Sequence, residues 1–114
     1  MFHVRLANNS FRDGIFWKVE IGDFSATYTG NLEVLAEPDN PMPPRTGWTY
    51  YAGSTNGQQP DPDLKAEPLV EDPWCSTITL TATGRASIKM HTVLGHYKRT
   101  EFWSTGRPVR KLMF

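Results

Sequence analysis

The residues best suited to directional chemistry lie in one segment, Gly47-Trp48-Thr49-Tyr50-Tyr51-Ala52-Gly53 running into Ser54-Thr55-Asn56-Gly57-Gln58-Gln59-Pro60-Asp61-Pro62-Asp63. Aromatic rings offer flat apolar faces for stacking. The amides, hydroxyls and carboxylates beside them offer hydrogen bonds of fixed direction. The pattern predicts a strand feeding a polar surface loop, with Trp48, Tyr50, Tyr51, Asn56, Asp61 and Asp63 as candidate ligand-binding residues. On a regular strand Trp48 and Tyr50 share one face and Tyr51 joins Thr49 on the other, so stacking on a sugar ring or a peptide would use whichever face is open. The same pattern also suits the ordinary edge of a β core, in which these rings are packed rather than presented.

Other chemistries are less well supplied. A nucleophilic triad lacks its frame, since no Gly-x-Ser-x-Gly elbow occurs. Cys75, between Trp74 and Ser76, reads as a small buried apolar residue rather than a reactive thiol. His91 and His96 could meet across a turn and join His3 at a metal, yet no cysteine or carboxylate frame accompanies them. Asp61, Asp63, Glu67, Glu71 and Asp72 carry hard oxygen ligands, but their spacing is not that of an EF-hand, and a solvated acidic connector is expected. Lys98, Arg99, Arg107, Arg110 and Lys111, interspersed with Tyr97, Phe102 and Trp103, make the C-terminal segment locally basic. Strand neighbours alternate faces, so these cations need not share a surface. The expectation is a non-catalytic chain with no metal, no cofactor and no nucleic-acid partner; a small metal-dependent enzyme is the third-ranked reading.

The chain that must position these residues is 114 amino acids long, within the range of a single domain, and its twelve basic residues balance twelve acidic ones. No long-range field draws in nucleic acid or an anionic membrane. One cysteine excludes an intrachain disulfide framework, so the core must hold by packing. No apolar run approaches the roughly 20 residues a spanning helix needs, and the first residues lack the plan of a signal peptide, so no membrane partner is expected.

Period-two alternation in Ile15, Trp17, Val19 and Ile21, and again in Ile78, Leu80 and Ala82, predicts strands with one buried face. Further strands are expected at 2–7, 24–29, 32–35, 47–52, 86–91, 97–103 and 108–114. Arg12-Asp13-Gly14, Thr29-Gly30-Asn31, Asn56-Gly57, Thr83-Gly84-Arg85 and Ser104-Thr105-Gly106 supply turn chemistry. Two proline-rich stretches, 37–45 and 58–73, suit long surface connections rather than central strands. Together these predict an all-β single domain over 1–114, a compact antiparallel sandwich or barrel with two long proline-rich loops, propeller-like blades being the alternative. The second proline-rich stretch would separate two sheets or layers.

The order Leu94-Gly95-His96-Tyr97 then Ser104-Thr105-Gly106-Arg107-Pro108-Val109, with Gly47-Trp48-Thr49-Tyr50-Tyr51 and Asp61-Pro62-Asp63-Leu64, resembles the "lGxY…GrPV" and "GWxYY…DPxL" patterns of uncharacterised β-rich modules that occur in tandem. The order of the two patterns is permuted here, and Arg110 stands where that pattern prefers Tyr. The resemblance implies a repeat-type binding or structural role and carries no catalytic residue. The expected function is recognition of an extended polar ligand such as carbohydrate. The competing reading is a structural or protein-interaction repeat that assembles with other proteins, or with copies of itself, through strand edges.

Overall fold

The computed structural model describes residues 2–9, 12–21, 31–37, 39–53, 55–69, 76–89 and 91–113. The fold is all-β: strands β1 (Phe2–Asn9), β2 (Arg12–Ile21), β3 (Leu32–Leu35), β4 (Thr49–Tyr51), β5 (Gln58–Pro60), β6 (Lys65–Pro68), β7 (Thr77–Thr81), β8 (Gly95–Ser104) and β9 (Arg107–Leu112), with one short helix, α1 (Arg85–Lys89), and a single 3-10 turn at His91–Val93. The strand expected at 24–29 and the Thr29-Gly30 turn lie outside the described residues, as do Trp74 and Cys75.

All pairings are antiparallel and the strands form one sheet in the order β5-β4-β3-β2-β1-β9-β8-β7-β6. Among the described strands each therefore lies beside its neighbour in sequence, the first lies beside the last, and the interruption falls between β5 and β6. Laid flat, eight inter-strand spacings would separate those two edges by about 38 Å. Yet β5 and β6 are joined by residues 61–64 alone, a connection that spans at most roughly 17 Å when fully extended. The sheet must curl until its ends approach, giving a barrel-like half-cylinder. One continuous sheet thus replaces the expected two layers, and β1 against β9 is the seam that unites the halves.

The concave side of the curl is the core, built from Val4, Leu6, Trp17, Val19, Leu32, Val34, Trp48, Tyr50, Leu64, Ala66, Ile78, Leu80, Val93 and Tyr97. Alternation placed Trp17, Val19, Ile78 and Leu80 correctly, but Ile15 and Ile21, expected on the same buried face, are exposed, and β1 to β3 bury two faces where one was predicted. On their other face His3, Arg5, Lys18, Glu20 and Glu33 are also buried. Register explains why this is tolerated: Lys18 stands between Arg5 and Glu33, and His3 stands opposite Glu20, so the like charges of Arg5 and Lys18, directly opposite each other, are offset by Glu33 beside Lys18 and by Glu20, which accepts from Arg5.

Two local expectations change. In the segment expected as a strand at 86–91, residues 86–89 belong to α1 and His91 opens the 3-10 turn. Its residues are good helix formers, and Ser87 closes the first turn by donating both its N–H (3.1 Å) and its Oγ–H (2.6 Å) to the Gly84 carbonyl. The proline-rich stretch 58–73 contains the edge strands β5 and β6, each ending in a proline. Proline is confined to sheet edges because it lacks an N–H, and this is where the curl puts it.

Candidate functional site

Strand β4 sorts the predicted aromatics. Trp48 and Tyr50 point to the concave side, where they are 1% and 4% exposed. The Trp48 indole N–H donates to the Pro44 carbonyl at 2.8 Å, which ties the first proline-rich loop over the core. Tyr51 is half-buried on the opposite face with Thr49, whose hydroxyl pairs with Gln58 Oε1 at 2.6 Å. The expectation of stacking rings on an open face at Trp48 with Tyr50, or at Tyr51, is therefore corrected for the first pair: Trp48 is a core residue, and Tyr50 offers only an edge.

That edge nevertheless lines a cleft. The Asn56-Gly57 turn has positive φ at Gly57 (61°) and is closed by Ala52 N–H donating to the Gly57 carbonyl at 2.8 Å, so β5 returns alongside β4 with Gln59 opposite Tyr50. Across from them stands α1. Tyr50, Ala52, Asn56, Gln59, Arg85 and Ile88 enclose a volume of about 420 Å³. A second hollow of about 330 Å³ continues past Gln59 and Arg85 along residues 60–63 to Gly84. Tyr50, Gln59 and Arg85 belong to both, so the two form one trough crossing the β5 edge.

The acidic residues at its far end have separate roles. Asp61 is buried, and its Oδ1 accepts the Asp63 N–H at 3.0 Å while its carbonyl accepts the Leu64 N–H at 3.1 Å. This turn drives Leu64 into the core. Asp63 is exposed, and both carboxylates press on Gly84. Asp61 thus shapes the trough by holding the 61–64 turn against α1, whereas Asp63, Asn56, Gln59 and Arg85 present polar groups to it. The Gln59 amide donates to the Asn56 carbonyl at 2.6 Å, fixing its orientation. Gln59 lay within the polar segment the sequence singled out but was not itself named, and Arg85 was marked only by the Thr83-Gly84-Arg85 turn signal.

The remaining titratable groups lie elsewhere. His3 Nε2 is 3.3 Å from Glu20 Oε1, and Arg5 Nε donates to the same oxygen. Burial pushes the Glu20 carboxyl up, but hydrogen bonds from His3 and Arg5, with their charge, outweigh it and hold the group below its usual range. Burial, joined by the like charge of Arg5, pushes the Lys18 ammonium down against the opposing pull of Glu20 and Glu33. Thr79 Oγ1 and His96 Nδ1 pair at 2.7 Å, and His91 is exposed. Among the described residues no three His, Cys, Asp or Glu side chains gather into a metal site. No helix among them is long and apolar enough to cross a membrane.

Searched against family models, curated proteins and solved structures, the chain has no match.

Proposed function

We propose that the protein is a non-catalytic binding module whose trough takes an extended, hydroxyl-rich ligand such as a saccharide chain. The observation that carries the reading is the adjacency of the two hollows, which share Tyr50, Gln59 and Arg85 and so supply neighbouring subsites rather than one closed pocket. Each subsite has a small set of directional groups: the Asn56 and Gln59 amides and the Arg85 guanidinium in the first, Asp63 and Arg85 in the second. Polyols are recognised by such mixed donors and acceptors, with an aromatic edge excluding water beneath the ring.

Assembly through strand edges has weaker support. Both edge strands are short and end in proline, β6 donates its Ala66 N–H to the Arg45 carbonyl at 3.0 Å, and Arg45 pairs with Glu67 at 2.9 Å. These devices blunt an edge.

A glycan array probed with the wild-type chain and with Arg85→Ala tests the proposal. Arg85 is exposed, so its removal leaves the fold intact while cutting binding about tenfold, the loss of roughly one charge-assisted hydrogen bond. No retained glycan, or equal binding by the variant, would count against it.

A further inference from the structure

The hairpin formed by β8 and β9 presents a second, independent surface. Among residues 95–112 the only acidic side chain is Glu101, against Lys98, Arg99, Arg107, Arg110 and Lys111. Arg110 is buried, but Lys98, Arg99 and Lys111 are exposed and Arg107 half-exposed, and none of these four forms an ion pair among the described residues. Between them stand the two most exposed aromatic rings among the large hydrophobics of the described residues, Trp103 at 60% and Phe102 at 48%.

The register of β8 against β9 shifts between Arg99 and Trp103, an irregularity of the kind that re-aims side chains. Phe102 and Trp103 lie in and at the end of this irregular stretch, and both reach solvent. Each has a cation over it. The Arg99 guanidinium carbon lies 5.3 Å from the Trp103 ring centre, and Lys111 Nζ lies 5.3 Å from that of Phe102. Two ring-and-cation pairs are thus offered to solvent on a strand pair whose net charge is positive although that of the whole chain is zero.

We propose that this hairpin binds single-stranded nucleic acid. A base stacks on the Trp103 or Phe102 ring, and the adjoining phosphate meets the cation already held beside that ring, the combination by which single strands are gripped without sequence readout. Zero net charge argued against nucleic acid at the level of composition; the fold concentrates the cations locally. A lipid surface is the poorer fit, since the apex of the hairpin is Thr105-Gly106 with Arg107 beside it and the rings sit back along the strand. An acidic peptide would satisfy the cations but leave the ring faces unused.

Fluorescence anisotropy of a labelled oligothymidine 20-mer decides the matter, with poly-L-glutamate and phosphatidylserine vesicles as competitors. The expected result is binding in the range of about 1 to 100 µM that weakens steeply with salt. Trp103→Ala, at an exposed position, loses about tenfold, Trp103→Phe restores most of it, and Arg99→Ala lowers the salt dependence. The proposal is overturned by absence of binding at about 0.1 mM protein, by a Trp103→Ala variant that folds and binds like the wild type, or by either competitor displacing the oligonucleotide at an equal concentration of charge.

Discussion

Gly84 and Asp61 are packed so closely that a Cβ placed on Gly84 would lie 2.9 Å from Asp61 Oδ1 and 3.1 Å from Asp63 Oδ2. The contact joins the 61–64 turn, which bridges the two sheet edges, to the wall of the trough that carries Arg85. Asp61 cannot withdraw without losing its bond to the Asp63 N–H. Gly84→Ala is therefore expected to destabilise the chain by about 1–2 kcal/mol, overpacking outweighing the entropy that alanine removes from the unfolded chain. Urea denaturation checks this, and an unchanged or raised midpoint would show that the two carboxylates give way freely.

Trp48 and Tyr51 separate the packed face of β4 from the half-open one. Trp48→Ala opens a large cavity and strands the Pro44 carbonyl, at an expected cost of about 3–5 kcal/mol. Tyr51→Ala costs roughly 1 kcal/mol or less. Chemical denaturation of the two variants side by side should show this ordering; equal losses would contradict the assignment of faces.

Glu20 makes stability depend on pH in a defined direction. Its folded value lies below the ordinary one, so its contribution is fully present above the ordinary carboxylate range and is lost as pH falls through the folded value. At neutral pH Glu20→Gln takes the opposing charge from buried Arg5 and costs about 3 kcal/mol. The gap between wild type and variant narrows as the medium is acidified below the ordinary carboxylate range. A gap independent of pH in thermal unfolding would show that the carboxylate charge is not what stabilises this cluster.

Thr105 has φ of 53° and Gly106 has φ of 79° in the two-residue turn between Ser104 and Arg107. Both central residues need positive φ, which asparagine accepts far better than a β-branched residue. Thr105→Asn is expected to raise stability by about 0.5–1 kcal/mol, read as an increased Tm. A fall would place the turn in another conformation.

The strands and turns were legible where local chemistry decides them. Leu32–Leu35 matches its expected bounds, Asn56-Gly57 turns as its residue types require, and Gly106 supplies the turn at 105–106 although Thr105 suits its positive φ poorly. What local pattern could not convey was burial on both faces of β1 to β3. Lys18, Glu20 and Glu33 look like a solvated face until register sets them among opposite charges. The candidate site was half legible for the same reason. Tyr50, Asn56, Asp61 and Asp63 were found from composition, but Gln59 and Arg85, far apart in sequence, meet only because the sheet curls. Trp48 was misread because indole serves a core and a binding face equally well, and only its 2.8 Å bond to Pro44 and its burial decide between them.

The central claim is that the trough between β5 and α1 is the ligand site. Its most direct test is amide chemical-shift mapping of the chain, by two-dimensional nitrogen–proton NMR, during titration with the glycan retained best on the array. The account predicts saturable shifts at Tyr50, Asn56, Gln59, Gly84 and Arg85, with the β8–β9 hairpin unmoved. Shifts confined to Phe102 and Trp103, or spread without a focus, would contradict it.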